Sequence, residues 1–217
     1  MKRKAFFLTA ITGIFLLPIQ SYAEGGEFYL KPTIGLSSLS DQTPTTRGIG
    51  TVDGSSDLSL DGGFVGGLAW GYRYSNNFAA EIAWEYRSND SQVTLADGSV
   101  FEDGNYASNT FFLNGYYFPE TERTWQPYVG LGIGFFEEID VDLESGGVEQ
   151  SFSGDGETLI QFMVGVEYPV SPKLDLTAEL RYSSASDISL SGEGSSGQFD
   201  GLDYDPLTIQ LGLKYTF

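Results

Sequence analysis

One feature constrains this chain more than any other: a two-residue alternation of apolar and polar side chains that recurs eight times. In the last such stretch, 207–217, Leu207, Ile209, Leu211, Leu213, Tyr215 and Phe217 alternate with Thr208, Gln210, Gly212, Lys214 and Thr216. Successive strand side chains point to opposite faces, so each stretch is a strand with one apolar and one polar face. The polar faces are unusual in what they carry. Lys31, Arg73, Glu81, Glu85, Arg87, Glu167, Asp175, Glu179, Arg181 and Lys214 all fall on them. A soluble ligand-binding barrel would turn its large apolar residues inward. Here the large apolar residues fall on the face opposite these charges, which suits hydrocarbon outside and a charged lumen inside.

The spacing of the stretches sets the topology. Strands are expected near 27–39, 58–74, 78–89, 105–118, 125–142, 157–170, 174–188 and 207–217. Polar loops at about 40–57, 90–104, 143–156 and 189–204 alternate with tight turns at 75–77, 119–124 and 169–173. All long loops therefore lie on one side, and the turns and both termini on the other. Even strand count, short turns on one side and long loops on the other describe a transmembrane barrel. The predicted fold is all-β, an eight-stranded antiparallel up-and-down transmembrane β-barrel. Leu113, Gly115 and Tyr117 of the fourth strand are placed outside and Asn114 inside. Phe28, Tyr72, Phe78, Tyr117, Tyr168, Tyr215 and Phe217 sit near the turn ends, as an interfacial aromatic girdle does.

The N-terminus reads as an export signal. Lys2, Arg3 and Lys4 precede an apolar run from residue 5 to 17, then Ser21-Tyr22-Ala23. That run is shorter than the roughly 20 residues a spanning helix needs. Residues 1–23 are expected to be cleaved, leaving 24–217 as one barrel domain. Cleavage removes three of eleven basic residues and none of thirty acidic ones, taking the net charge from −19 to −22. Nucleic acid is a poor partner for such a chain.

The ending Gln210-x-Gly212-x-x-Tyr215-x-Phe217 resembles the C-terminal assembly signal of bacterial outer-membrane β-barrels. With YVGLGIGF (128–135) and FYLKPTIG (28–35), it makes the chain similar to the small outer-membrane β-barrel family: OmpA-like transmembrane domains, OmpX and opacity-type surface proteins. That resemblance implies a location in a Gram-negative outer membrane. It also implies partners: outer-membrane lipid and lipopolysaccharide, the barrel-assembly machinery, and a surface ligand met through the loops. The periplasmic peptidoglycan-binding domain of full-length OmpA proteins is expected to be absent.

Chemistry is sparse. With no His and no Cys, the usual general base, thiolate and disulfide frameworks are missing. Glu81 and Glu85 share a face, but their expected role is to neutralise Arg73, Arg87 or Arg181, because buried charges are normally paired. Asp140, Asp142 and Glu144, and Asp200, Asp203 and Asp205, lack the spacing of a calcium loop: Ser145 stands where that loop has its Gly and Ser151 where it has its closing Glu. No catalytic, metal or cofactor residues are assigned. Eight strands enclose little more than their own side chains, so the ten charges are expected to plug the lumen. The expected function is a structural and surface-interaction barrel displaying four flexible acidic loops, with a narrow porin-like channel as the alternative.

Overall fold

The computed structural model describes residues 26–145, 148–194 and 196–217, so the expected signal segment lies outside the described residues. Twelve strands follow one another: β1 Glu27–Ser38, β2 Thr45–Arg47, β3 Gly54–Ser55, β4 Asp57–Arg73, β5 Phe78–Thr94, β6 Val100–Tyr117, β7 Gln126–Ser145, β8 Val148–Gly154, β9 Thr158–Ser171, β10 Leu174–Gly192, β11 Gln198–Tyr204 and β12 Leu207–Thr216. Eight of them (β1, β4, β5, β6, β7, β9, β10 and β12) form an antiparallel ring in chain order. The closing ladder runs from Tyr29 opposite Thr216 to Ser38 opposite Leu207.

A single ladder row shows how the ring closes. Tyr128 pairs with Gly165, then the row passes through Glu179, Gln210, Gly35, Val65, Arg87 and Ser108 to Ile139. It returns to β7 eleven residues further along. One of those is the extra residue at a bulge opposite Asn109 and Thr110. This displacement is the stagger that tilted strands need to close a barrel.

Alternation places the side chains as expected. Ile34, Leu36, Ile82, Leu113, Leu131, Ile133, Ile209 and Leu211 all stand exposed on the outer wall. The fourth long strand faces as expected, with Leu113 and Tyr117 outside and Asn114 buried. At the turn end, aromatic pairs form a girdle: Phe28 with Tyr72, Phe78 with Tyr117, and Tyr215 with Phe217.

The long loops are different from the expectation. They are mostly strand, and they surround an apolar core of their own. β5 and β6 continue to Thr94 opposite Val100, where Gly98 (φ 85°) supplies a left-handed turn that donates its N–H to the Leu95 carbonyl. β7 turns into β8, whose Phe152 and Ser153 pair with β10. β11 pairs with β10 and with β2, β2 pairs with β3, and Gln42 bridges to Leu58. The sheet thus continues past the eight-stranded ring as a folded extension. Leu58, Val93, Ile139, Val141, Leu143, Phe152, Ile188, Leu190, Phe199 and Leu202 fill it.

The physical reason is an inversion of the two faces. In β7 the outward positions run Val129, Leu131, Ile133, Phe135, then Asp140, Asp142 and Glu144. The inward positions run Gly130, Gly132, Gly134, Phe136, then Ile139, Val141 and Leu143. Outside, apolar side chains give way to acidic ones; inside, the polar layer gives way to a hydrophobic core. The period of two is unbroken except at the bulge.

Candidate functional site

The lumen is built in three layers. Its floor, at the turn end, is aromatic: Tyr29, Tyr116, Phe118 and Tyr128, with Ala79 and Met163, are all buried together. Tyr116 meets Tyr128 edge-on with ring centroids 5.5 Å apart. Arg73 lies 3.8 Å from the Phe118 ring centroid and closes the rim with Glu167 at 2.8 Å. Lys214 reaches both Glu167 and Asp175 at 2.8 Å.

Above the floor is the charged layer. Lys31 Nζ stands 2.7 Å from Glu81 Oε2. Glu81 also accepts hydrogen bonds from Tyr29 (3.2 Å), Tyr116 (3.1 Å) and Asn114 (3.4 Å). Glu85 is shared between Arg87 (2.6 Å) and Arg181 (3.2 Å), and accepts a third bond from Gln210 (2.7 Å). Arg181 also pairs with Glu179 through its Nε. Arg87 donates further to Tyr204, Ser37 and Thr208. The inward glycines of β7 make room for this packing: side chains of Tyr116, Asn114 and Phe112 occupy the space a Cβ would need at Gly130, Gly132 and Gly134. Tyr29 occupies the corresponding space at Gly71.

All ten charges expected in the lumen are there, and each has an opposite partner. Five are cations and five are anions, so the layer is neutral. Buried ions persist only when so compensated. The partners differ in one respect from expectation: Glu81 pairs with Lys31, and Arg73 pairs with Glu167 rather than with either strand-β5 carboxylate. Sequence reading missed Tyr204, Ser37, Thr208 and Ser108 as network members, because three of the four lie in or next to segments it assigned to loops or strand ends. Gln210, taken as part of the terminal signal, is buried and bonded to Glu85. Gly212 packs against Thr177 and Thr33, while Tyr215 and Phe217 stay exposed on the girdle.

The third layer is the apolar core of the outer extension. Its outer wall is acidic: segments 39–61, 88–107, 137–157 and 185–206 hold twenty-one Asp and Glu against Arg47 alone. Arg47 pairs with Asp200 at 3.2 Å. Asp205 accepts from Ser40, and the Gln42 side chain bridges the Asp203 backbone, tying β11 to the first outer segment. Asp97 caps the facing turns, accepting from the Thr51 and Ser99 N–H groups, which hold its carboxyl below the usual range. Asp140 is pushed up to about 6, by burial first and then by Asp142, Glu138 and Glu193. Among the described residues no three carboxylates converge as a metal site.

A family model described as an outer membrane protein beta-barrel domain matches residues 7–217. The chain belongs to this outer-membrane β-barrel family. Outer membrane protein W of Vibrio cholerae serotype O1 is 20% identical over 224 residues, spanning 100% of both chains. Among solved structures, OprG of Pseudomonas aeruginosa aligns with a TM-score of 0.64 at 18% identity, covering 89% of this chain and 96% of that one. A major outer membrane protein of Thermus thermophilus aligns at 0.59 and 14% identity, covering 89% and 100%. These structures share the fold. The protein resides in a Gram-negative outer membrane.

Proposed function

We propose that this barrel is a closed anchor whose business is done outside the membrane by its folded acidic extension. The observation that carries this reading is the neutral, fully paired charged layer, held between an aromatic floor and an apolar core. A hydrophilic solute would have to break several buried ion pairs to pass, at about 3–5 kcal/mol for each uncompensated charge. The same layer argues against the porin-like alternative. No group in the lumen is assigned a catalytic step. Partners follow from the surfaces: lipid along the aliphatic belt, lipopolysaccharide at the level of the acidic wall, the barrel-assembly machinery at β12, and a surface ligand on the extension. Nucleic acid is excluded by like charge. Planar-bilayer recordings of the refolded protein test the proposal. Silent membranes are the expected result, and reproducible open-channel steps would overturn it.

One observation favours a second reading. Between Ser184 and Ser191, β10 has ladder partners on β11 but, among the described residues, none on the β8–β9 side. Asp187 sits there with φ 61°, and Leu159, Ile188 and Leu190 are buried members of the outer core. An unzipped seam between an apolar interior and the outer leaflet suits sideways passage of a small apolar molecule, stopped below by the charged layer. Faster equilibration of an apolar dye into protein-bearing vesicles than into empty ones would support it. Cross-linking residues 158 and 186, which the β9–β10 register sets opposite each other, through introduced cysteines should then abolish the difference.

A further inference from the structure

Residues 43–57, which lead from β1 to β4, leave and rejoin the sheet at one point. Gln42 and Leu58 exchange both backbone hydrogen bonds, at 2.8 and 2.9 Å. The base is pinned again beside them: Leu60 donates its N–H to Asp41 at 2.9 Å, and Ser40 donates its hydroxyl to Asp205 at 2.9 Å. The segment is thus a compact surface loop with joined ends, and β2 and β3 pair within it. Its internal bonds keep its own shape. The buried hydroxyls of Thr46 and Ser56 meet at 2.7 Å, Ser56 donates its N–H to the Pro44 carbonyl, and Gly48 donates to Asp53.

The loop lies across the outer end of the apolar core. Ile49 is 3% exposed and belongs to that core. Ile49 and Phe152 of β8 together occupy the space a Cβ would need at Gly197, between β10 and β11. Leu95 and Asp97, at the β5–β6 turn, do the same at Gly50. One loop therefore reaches three separate parts of the extension, as a cover does. What fastens it there is slight. The three residues of β2 pair with β11. Asp97 accepts from the Thr51 N–H at 2.7 Å and from its hydroxyl at 2.9 Å. Arg47 pairs with Asp200, but its side chain is 62% exposed, and exposed ion pairs contribute little. Of the loop's aliphatic side chains Ile49 is inserted, whereas Val52 is 53% exposed. The walls share fully buried Ile139, Val141, Leu143, Phe152 and Leu190. Units with few buried apolar contacts and exposed hydrogen bonds open before the core does.

We propose that residues 43–57 are a hinged lid on the extension: the loop lifts as one unit about the Gln42–Leu58 bridge, withdrawing Ile49 from the core, while the walls stay folded. Lifting breaks the bonds to Asp97, Asp200 and β11 and leaves those within the loop intact. It uncovers the outer end of the core, beside Phe152 and Leu95. The lid goes beyond the closed-anchor reading and does not depend on it, because the charged layer is untouched. Conductance tests that reading and amide exchange tests this one.

The experiment measures amide hydrogen exchange in the refolded full barrel in lipid nanodiscs. The Thr51 amide and the β2 amides bonded to β11 should share one protection factor, roughly tenfold or more below those of Gln42, Leu58 and Val141. The Ile49→Ala variant should lower the shared value by a further factor of about ten or more and leave Gln42, Leu58 and Val141 unchanged. Protection of the loop equal to that of Val141 would overturn the proposal, since loop and walls would then open together. Unequal values within the loop would overturn it in favour of fraying, and so would an Ile49→Ala effect that reaches Val141 in equal measure.

Discussion

Replacing Lys31 by Met measures how dry the lumen is. Lys31 Nζ and Glu81 Oε2 are 2.7 Å apart, with side chains 6% and 0% exposed. At an effective dielectric constant of about 20, two unit charges at that separation attract by roughly 6 kcal/mol. Desolvation of both ions offsets much of this, so the pair itself is worth far less. Removing one partner is another matter. Glu81 keeps its bonds from Tyr29, Tyr116 and Asn114 but loses its counter-ion while remaining buried. The expected loss is about 3–5 kcal/mol. Glu81→Gln should cost a similar amount by stranding Lys31. The double variant should recover part of the loss, with a coupling on the order of 1–3 kcal/mol. Reversible urea unfolding in lipid vesicles, followed by the fluorescence of the outward Trp70 and Trp84, reads all four states. The unpaired Glu81 should also draw in cations, so Lys31→Met should conduct where the unaltered barrel does not. A Lys31→Met barrel within about 0.5 kcal/mol of the original, or strictly additive single changes, would show that water already screens the pair and would refute the plugged lumen.

Three further outcomes are expected. Phe152→Ala removes a fully buried ring from the outer core and should destabilise the extension by about 3–5 kcal/mol; limited proteolysis should then cut the outer segments while sparing the membrane ring, and unchanged resistance would mean the core does not hold them. Asp140 has a folded pKa of about 6 against an ordinary 3.8, so the folded state binds the extra proton between those values; stability of the extension should rise as pH falls from above 6 toward 3.8, and Asp140→Asn should flatten that slope in hydrogen-exchange measurements. Deleting Phe217 should lower the amount of barrel in the outer membrane without changing the fold of what assembles, and normal surface levels would contradict an assembly role for the last strand.

Which face of each strand is inward was legible from the sequence, because alternation needs nothing but counting. The ten lumen charges follow from that alone. Their partners do not. Arg73 meets Glu167 across ninety-four positions, and Lys31 meets Glu81 across a strand that neither belongs to. Pairing depends on height, and height depends on stagger, which no single strand records. The outer core was missed for a related reason. The expected strands ended where their outward residues turned acidic, at Asp90 or Asp142, as though polarity marked a loop. The inward residues at those places, Val93, Ile139, Val141 and Leu143, had turned apolar in step.

The two changes together locate the membrane surface. Below it, an outward aliphatic faces lipid and an inward ion finds a counter-ion; above it, an outward carboxylate faces water and an inward aliphatic finds a core. The ladder row from Tyr128 to Ile139 crosses that boundary in one circuit, passing from the aromatic floor through Glu179, Gln210 and Arg87 into the apolar extension. The stagger that closes the barrel therefore also joins its layers. A change that slips one strand by two residues would keep every side chain on its proper face, yet it would shift that strand's inward charge two positions out of line with its partner. Since an unpaired buried ion costs several kcal/mol, the charge layer selects the register that alternation alone leaves open.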